Sequence, residues 1–194
     1  MNWGDRASST FDEVVPFFLL SDFATDSLKT GDIVLRNGTG VYSRVNRFIF
    51  SKENQFSHCG IISIENDTVF VYHALGGRES VTNQLRKDEL AHYCNKRATT
   101  DVAFYRYNLN GSERNELSNV IKQLYVNRTY FDGLFNLESC DDLYHTELVY
   151  HVLTTVTDDI DIIPQSNFFG KKYISLDKLY KNENAKLLAS FDFR

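Results

Sequence analysis

Two histidines at one end of an apolar hairpin pattern are the first residues in the sequence that could do chemistry. His58 opens the apolar run that ends at Ile64, and His73 closes a second strand pattern that begins at Thr68. The segment Glu65-Asn66-Asp67 between the two runs is typical of a tight turn that joins antiparallel strands. A turn centred on Asn66 pairs position 58 with about position 74, so both imidazoles are expected at the same end of the hairpin.

A third histidine, His145, stands at the start of a helical pattern. The segment Asp141 to Tyr150 opens this helix, and its apolar side chains at Leu148, Val149, Val152 and Leu153 share one side. Acidic residues near the start of the pattern suit the positive end of a helix dipole. An imidazole in this position could act as a proton acceptor or as a metal ligand.

The remaining periodicity predicts the elements that must position these histidines. Strands are predicted at Ile33 to Arg36, at Asp101 to Tyr107 and at Ala185 to Phe193. Helices are predicted at Val41 to Ser51 and at Ser112 to Asn127, with a short helical turn at Ser175 to Tyr180. The stretch from Thr82 to Tyr93 is polar and has a weak helical pattern. This order of elements predicts an α+β domain with one mostly antiparallel sheet.

Composition and charge bound the domain count and the class of partner. The chain has 194 residues, of which 42% are hydrophobic, which is enough for a single core. We expect an N-terminal extension over residues 1–27 and one domain over residues 28–194. A net charge of −5 argues against nucleic acid as the main partner.

The sequence also predicts the cellular context. No apolar run approaches the roughly 20 residues that a membrane span requires. Val14 to Leu20 is too short, and lacks the basic flank of a secretory signal. The three cysteines, Cys59, Cys94 and Cys140, are too widely spaced to suggest a disulfide framework or a metal clip. We therefore expect a cytoplasmic protein, or one exported without a cleaved signal peptide.

Three separated motifs together carry a resemblance to a known family. They are Leu28 to Arg36 with its Gly-Asp pair, Phe56 to Ile61 with its Ser-His-x-Gly-Ile order, and Leu143 to Val149. In this order they resemble the circularly permuted branch of the NlpC-type papain-like superfamily, the YaeF/YiiX-like amidase group. They are more distantly similar to the lecithin retinol acyltransferase group. The resemblance covers about residues 28–155 and implies a papain-like fold.

The resemblance implies a thiol hydrolase site with one member replaced. By position, His58 would be the base and His73 the group that orients it. His145 stands where the family carries its nucleophilic cysteine. Asp32, Tyr144 and Glu147 match the flanking motif positions and would support the site. The implied activity is hydrolysis or transfer at an amide or ester bond of a cell-wall peptide, such as a peptidoglycan fragment, or of an acylated lipid.

Three explanations of His145 follow from this departure. The chain is a natural pseudoenzyme, a deliberately inactivated variant, or a protein that uses His58, His73 and His145 as a zinc site for metal-assisted hydrolysis. Imidazole is a poor substitute for a thiolate in acyl transfer, so the chain as given is expected to be inactive. A non-catalytic module that binds ligands in the same groove is the alternative outside the enzyme class. Except in the zinc reading, no cofactor is expected.

Overall fold

A six-stranded antiparallel sheet is the framework of the molecule. The computed structural model describes residues 20–51, 55–75, 84–130, 137, 143–168 and 170–194. The strands are β1 Ile33–Gly38, β2 His58–Glu65, β3 Thr68–Ala74, β4 Leu85–Glu89, β5 Thr99–Arg106, β6 Ser166–Phe168, β7 Lys171–Tyr173 and β8 Lys186–Asp192. Their order in the main sheet is β4-β3-β2-β1-β5-β8, and β6 pairs with β7 in a separate hairpin.

Helices cover both faces of the main sheet. Residues 20–27 are helical and are called α1 here. The others are α2 Val41–Phe50, α3 Leu90–Tyr93, α4 Gly111–Val126, α5 His145–Thr157 and α6 Leu176–Tyr180. One core lies under α4, α5 and α6 and includes Cys59 and Ile61 of β2, whereas Ile62 belongs to a second core beneath α1 and α3. This split follows from the alternation of side chains along a strand.

The predicted histidine hairpin is present, with its register shifted by one residue. Asn66 and Asp67 both have positive φ, 49° and 61°, as the two central residues of a type I′ turn do. Glu65 pairs with Thr68, so the extended register places position 58 opposite position 75 rather than 74. A turn centred between two residues, rather than on Asn66, accounts for the difference.

The predicted α+β class and its mostly antiparallel sheet are confirmed, and one segment was assigned wrongly. Thr82 to Tyr93 was expected to be weakly helical, but it contains strand β4 and only a short helix, α3. The side chains of this edge strand are mostly polar and half-buried, so they do not show the apolar alternation that marks a strand in sequence.

Two further expectations concern the N-terminal region and the membrane. Leu20 and Ala24 of α1 are buried in the second core, while residues 1–19 lie outside the described part of the chain. The boundary between residues 27 and 28 stays a prediction. Within the described residues, no helix combines the length and the apolar character that crossing a bilayer requires.

Candidate active site

Helix α5 places His145 at its first residue. The predicted apolar side chains, Leu148, Val149, Val152 and Leu153, are fully buried, and the helix packs against β2. The Glu147 carboxylate accepts a hydrogen bond of 3.3 Å from the Tyr144 backbone N–H, just before the first turn. Glu147 therefore stabilises the helix start, as the acidic residue of a capping box does.

The residues on either side of His145 are tied to one residue of a neighbouring segment. The Ile174 N–H donates to the Tyr144 hydroxyl at 2.8 Å, and the Thr146 hydroxyl donates to the Ile174 carbonyl at 2.7 Å. Tyr144, Thr146 and Ile174 are all fully buried. The hydrogen bonds of Tyr144 and Thr146 to Ile174 thus fix the backbone on both sides of His145.

His58 begins β2, and its ring lies close to that of His145. The two ring centroids are 5.8 Å apart at an angle of 57°, and both side chains are about 2% exposed or less. The Ser57 hydroxyl lies 2.9 Å from His58 Nδ1, and the Asn46 amide nitrogen lies 3.4 Å from His58 Nε2. If the Asn46 amide donates to Nε2, the neutral His58 ring carries its proton on Nδ1. That proton can then be donated to the Ser57 hydroxyl oxygen.

His73 has a carboxylate partner that the sequence reasoning missed. Its Nε2 lies 2.9 Å from Asp88 Oδ2, and Arg86 donates to the other Asp88 oxygen at 2.9 Å. Burial opposes the ionisation of Asp88, but these two hydrogen bonds outweigh it and lower its pKa to about 2. An ionised Asp88 requires a proton on His73 Nε2. His73 also packs edge-on against Tyr93, with 4.9 Å between ring centroids.

These contacts refine the predicted roles of the two strand histidines. Ser57 and Asn46 hold the His58 ring, and Asp88 holds the His73 ring. The assignment of His73 as the group that orients His58 stays a prediction. Ser57 belongs to the motif quoted from the sequence, so it could have been found there. Asp88 lies on the polar edge strand, which carried no motif.

Burial keeps all three imidazoles uncharged near neutral pH. It lowers the pKa of His145 to about 3, with a further contribution from His73. It also holds the pKa of His58 well below its ordinary value, and the Arg36 guanidinium adds to this effect. The pKa of His73 falls for the same reason, although the hydrogen bond to Asp88 offsets part of the decrease. The three imidazoles are therefore uncharged polar groups inside the fold.

Cys59 lies against His145 but lacks the features of a nucleophile. Cys59 follows His58 on β2, so that its side chain lies on the opposite face of the strand, in the core beneath α5. Its Sγ donates to the His145 carbonyl oxygen at 3.2 Å and lies 3.9 Å from His145 Nδ1. The thiol is fully buried, and burial raises its pKa well above the ordinary value. Cys140 lies outside the described residues.

Asp32 does not support the site directly, contrary to the expectation from its motif. It lies just before β1, whereas His58 pairs with Arg36 near the other end of that strand. The buried Asp32 carboxylate accepts hydrogen bonds from Arg106 Nε and Nη2, at 2.7 and 2.6 Å, and from the Lys29 N–H at 2.7 Å. Its role is to join the turn before β1 to the end of β5.

The zinc alternative receives no geometric support from the described residues. In that part of the chain, no three His, Cys, Asp or Glu side chains are grouped so that they could hold a metal ion. His73 directs Nε2 at Asp88, and His58 is held by Ser57 and Asn46. A zinc site would require three imidazole nitrogens to face one point.

Comparison with known proteins gives a match in fold only. No family model matches the sequence, and no curated protein matches it in sequence. The fold is similar to that of a solved structure described as metalloprotein yiiX from Escherichia coli O157:H7, DUF1105, with a TM-score of 0.69 and 15% identity. The match covers 84% of this chain and 97% of that chain. The chain therefore has the α+β fold of yiiX, as its three motifs predicted.

Proposed function

We propose that this chain is a papain-like hydrolase-type domain that binds an amide or ester compound and does not cleave it. The observation that carries the proposal is the position of His145. It is the first residue of α5, its ring is 5.8 Å from that of His58, and it stands where the resembled family has its nucleophile. A cell-wall peptide or an acylated lipid is the class of ligand that the resemblance implies.

Chemical reasons argue against turnover by the chain as given. Nucleophilic catalysis needs a group that reaches the substrate and is activated by a base. The His145 imidazole has a pKa of about 3, because burial disfavours its charged form, and it is therefore a weak base and a poor nucleophile. Among the described residues, the thiol nearest to His145 is that of Cys59, which is fully buried and protonated.

The parts that would serve a thiol at position 145 are still in place. The backbone N–H groups at the start of α5 could stabilise a developing oxyanion, and the positive end of the helix lowers the pKa of a cysteine there. His58, held by Ser57, is the base nearest to that position. A single substitution is therefore expected to restore a cysteine–histidine pair.

The test is His145→Cys in a Cys59→Ala background. The background variant is needed because Cys59 Sγ lies 3.2 Å from the residue 145 carbonyl oxygen, so that a second thiol at 145 could oxidise with it. Each protein is assayed with an activated ester, an amide and a peptidoglycan fragment. We expect hydrolysis of at least one of them at about a hundredfold or more above the Cys59→Ala protein.

One control variant and one refuting outcome make the test specific. Adding His58→Ala to the double variant should abolish the gained activity, because it removes the base. Retention of activity without His58 would contradict the proposed roles. No gain with any of the three substrates, in protein shown to be folded by circular dichroism, would refute the hydrolase reading.

The binding part of the proposal is tested on the unaltered chain. NMR titration with a muropeptide and with a short-chain phospholipid should shift resonances of His58 and His145 with one of the two ligands. Hydrolysis by the unaltered chain would overturn the proposal. If the rate of that hydrolysis rose with the amount of bound zinc and was lost on chelation, it would favour the three-histidine zinc site. The description of yiiX as a metalloprotein is a reason to test this alternative.

A further inference from the structure

Helix α2 exposes three of its apolar side chains. Val41, Val45 and Phe48 are 72%, 47% and 85% exposed, and with the exposed Arg44 they follow the i, i+3, i+4, i+7 spacing of one helix face. An ordinary surface helix turns its apolar face to the core. We call Val41, Arg44, Val45 and Phe48 the outer face of α2.

On the other side of the same helix, three polar side chains among the described residues lie near the candidate site or the end of β1. Ser43 is buried, the Asn46 amide lies 3.4 Å from His58 Nε2, and Arg47 donates to the Gly38 carbonyl at 2.9 Å. The helix is therefore fixed to the end of β1 and to His58 by polar contacts. One helix diameter, about 10 Å, separates the outer face from the site.

Charge and size favour one occupant of the outer face. Arg44 gives the outer face a positive charge, while Arg47 is turned inward to Gly38, and helix α2 contains no acidic residue although the whole chain has a net charge of −5. A second copy paired face to face would bring two Arg44 side chains together, which is unfavourable. Within the described residues, the three apolar side chains of this face offer much less than the ~800 Å² that each partner contributes to a standard protein interface.

We propose that the outer face of α2 binds the surface of an anionic lipid bilayer. Phe48, Val41 and Val45 enter the boundary between headgroups and acyl chains, and Arg44 contacts the anionic headgroups. The long arginine side chain can keep its charge at the headgroup level while its stem lies along apolar surface. This contact holds the His58 end of the molecule at the lipid surface. The inference does not rest on the proposed function, since binding requires no reaction.

Co-sedimentation with phosphatidylcholine vesicles, with and without phosphatidylserine, tests the proposal on the full chain. We expect binding that requires phosphatidylserine. Phe48→Ser should weaken it by about tenfold or more, because a large apolar side chain is lost from the boundary. Arg44→Gln should weaken it by about fivefold. The matched control is Ile160→Ser, which removes an apolar side chain that is 68% exposed in the segment after α5, and it should bind like the unaltered chain.

Each other outcome overturns the proposal. These are no sedimentation with phosphatidylserine vesicles, and an equal loss of binding in Ile160→Ser. Self-association in analytical ultracentrifugation that Phe48→Ser abolishes, without vesicle binding, would assign the face to a second copy instead. Capture of a protein partner through Phe48, again without vesicle binding, would assign it to that partner.

Discussion

Replacing Gly60 by alanine should destabilise the fold through contacts beside the candidate site. Gly60 follows His58 by two residues on β2. A Cβ at this position would lie 2.5 Å from Val71 Cγ1, 3.0 Å from the Tyr72 carbonyl oxygen and 3.1 Å from His73 Cβ. The Tyr72 oxygen belongs to the sheet backbone and cannot move without disturbing the β2–β3 pairing.

Two opposing effects determine how much Gly60→Ala lowers the free energy of unfolding. Overpacking a buried site costs about 1–3 kcal/mol. The loss of glycine's freedom in the unfolded chain offsets this by about 0.4–1 kcal/mol. The net loss in the free energy of unfolding is therefore about 1–2 kcal/mol. For a chain of this size, each kcal/mol lowers Tm by about 2–4 °C, so Tm should fall by about 2–8 °C.

Thermal and urea unfolding followed by circular dichroism measure the effect, and Gly111→Ala is the matched control. Gly111 begins α4, and a Cβ there would meet nothing within 4 Å. This control should be neutral or slightly stabilising, since alanine favours a helix. Equal stability of the Gly60→Ala and Gly111→Ala proteins would refute the packing argument. A normal Tm together with unchanged His73 resonances would show that β2 and β3 are farther apart than described.

Three further predictions concern buried ionisable groups. Asp32→Asn should lower the free energy of unfolding by about 3 kcal/mol, measured in urea, because it leaves Arg106 without its carboxylate. His145 has a folded pKa of about 3, below its value of about 6.5 when unfolded, so the unfolded chain binds its proton first as the pH falls. Stability should therefore decrease from about pH 6.5 towards pH 3, and His145→Gln should remove about 1 kcal/mol per pH unit of that slope. Asp88→Ala should release the proton of His73 from Nε2, which nitrogen-15 NMR detects as a change of tautomer.

The controls for these predictions use exposed groups of the same type. Asp192→Asn breaks an ion pair with Arg194 at the surface and should leave stability nearly unchanged. His92→Gln removes an exposed histidine and should leave the acid unfolding curve unchanged. If Asp192→Asn were as damaging as Asp32→Asn, burial would not be the reason for the effect. An acid slope that does not respond to His145→Gln would contradict the neutral, buried state of this ring.

The sequence was sufficient for most of the elements and for the approach of two histidines. Alternating apolar residues around Asn66 predicted the hairpin, and the stripe from Leu148 to Leu153 predicted the face of α5 that is buried. The motif order then predicted that residue 145 would lie near His58, and the two rings are 5.8 Å apart. These features depend on periodicity and turn chemistry, which are local properties of a chain.

The partners of the histidines depend on tertiary packing and could not be predicted in the same way. Asp88 lies on an edge strand whose polar pattern resembled a weak helix, so nothing placed it beside His73. Asn46 reaches His58 through the packing of α2 beside β1, and nothing in the helical pattern of α2 marked Asn46 as a partner of His58. Asp32 belongs to a motif, but the sequence could not show that its carboxylate binds Arg106 at the end of β1 opposite to His58.

The anchoring of both neighbours of position 145 to Ile174 has an evolutionary consequence. Since the main chain there is held by residues other than 145 itself, exchanging that one side chain changes the chemistry offered without changing where it is offered. Variants at position 145 are therefore expected to differ in the side chain they present and not in the path of the backbone. A comparison of proteins with this fold can use the anchoring residues to identify the position that corresponds to 145, whichever residue stands there.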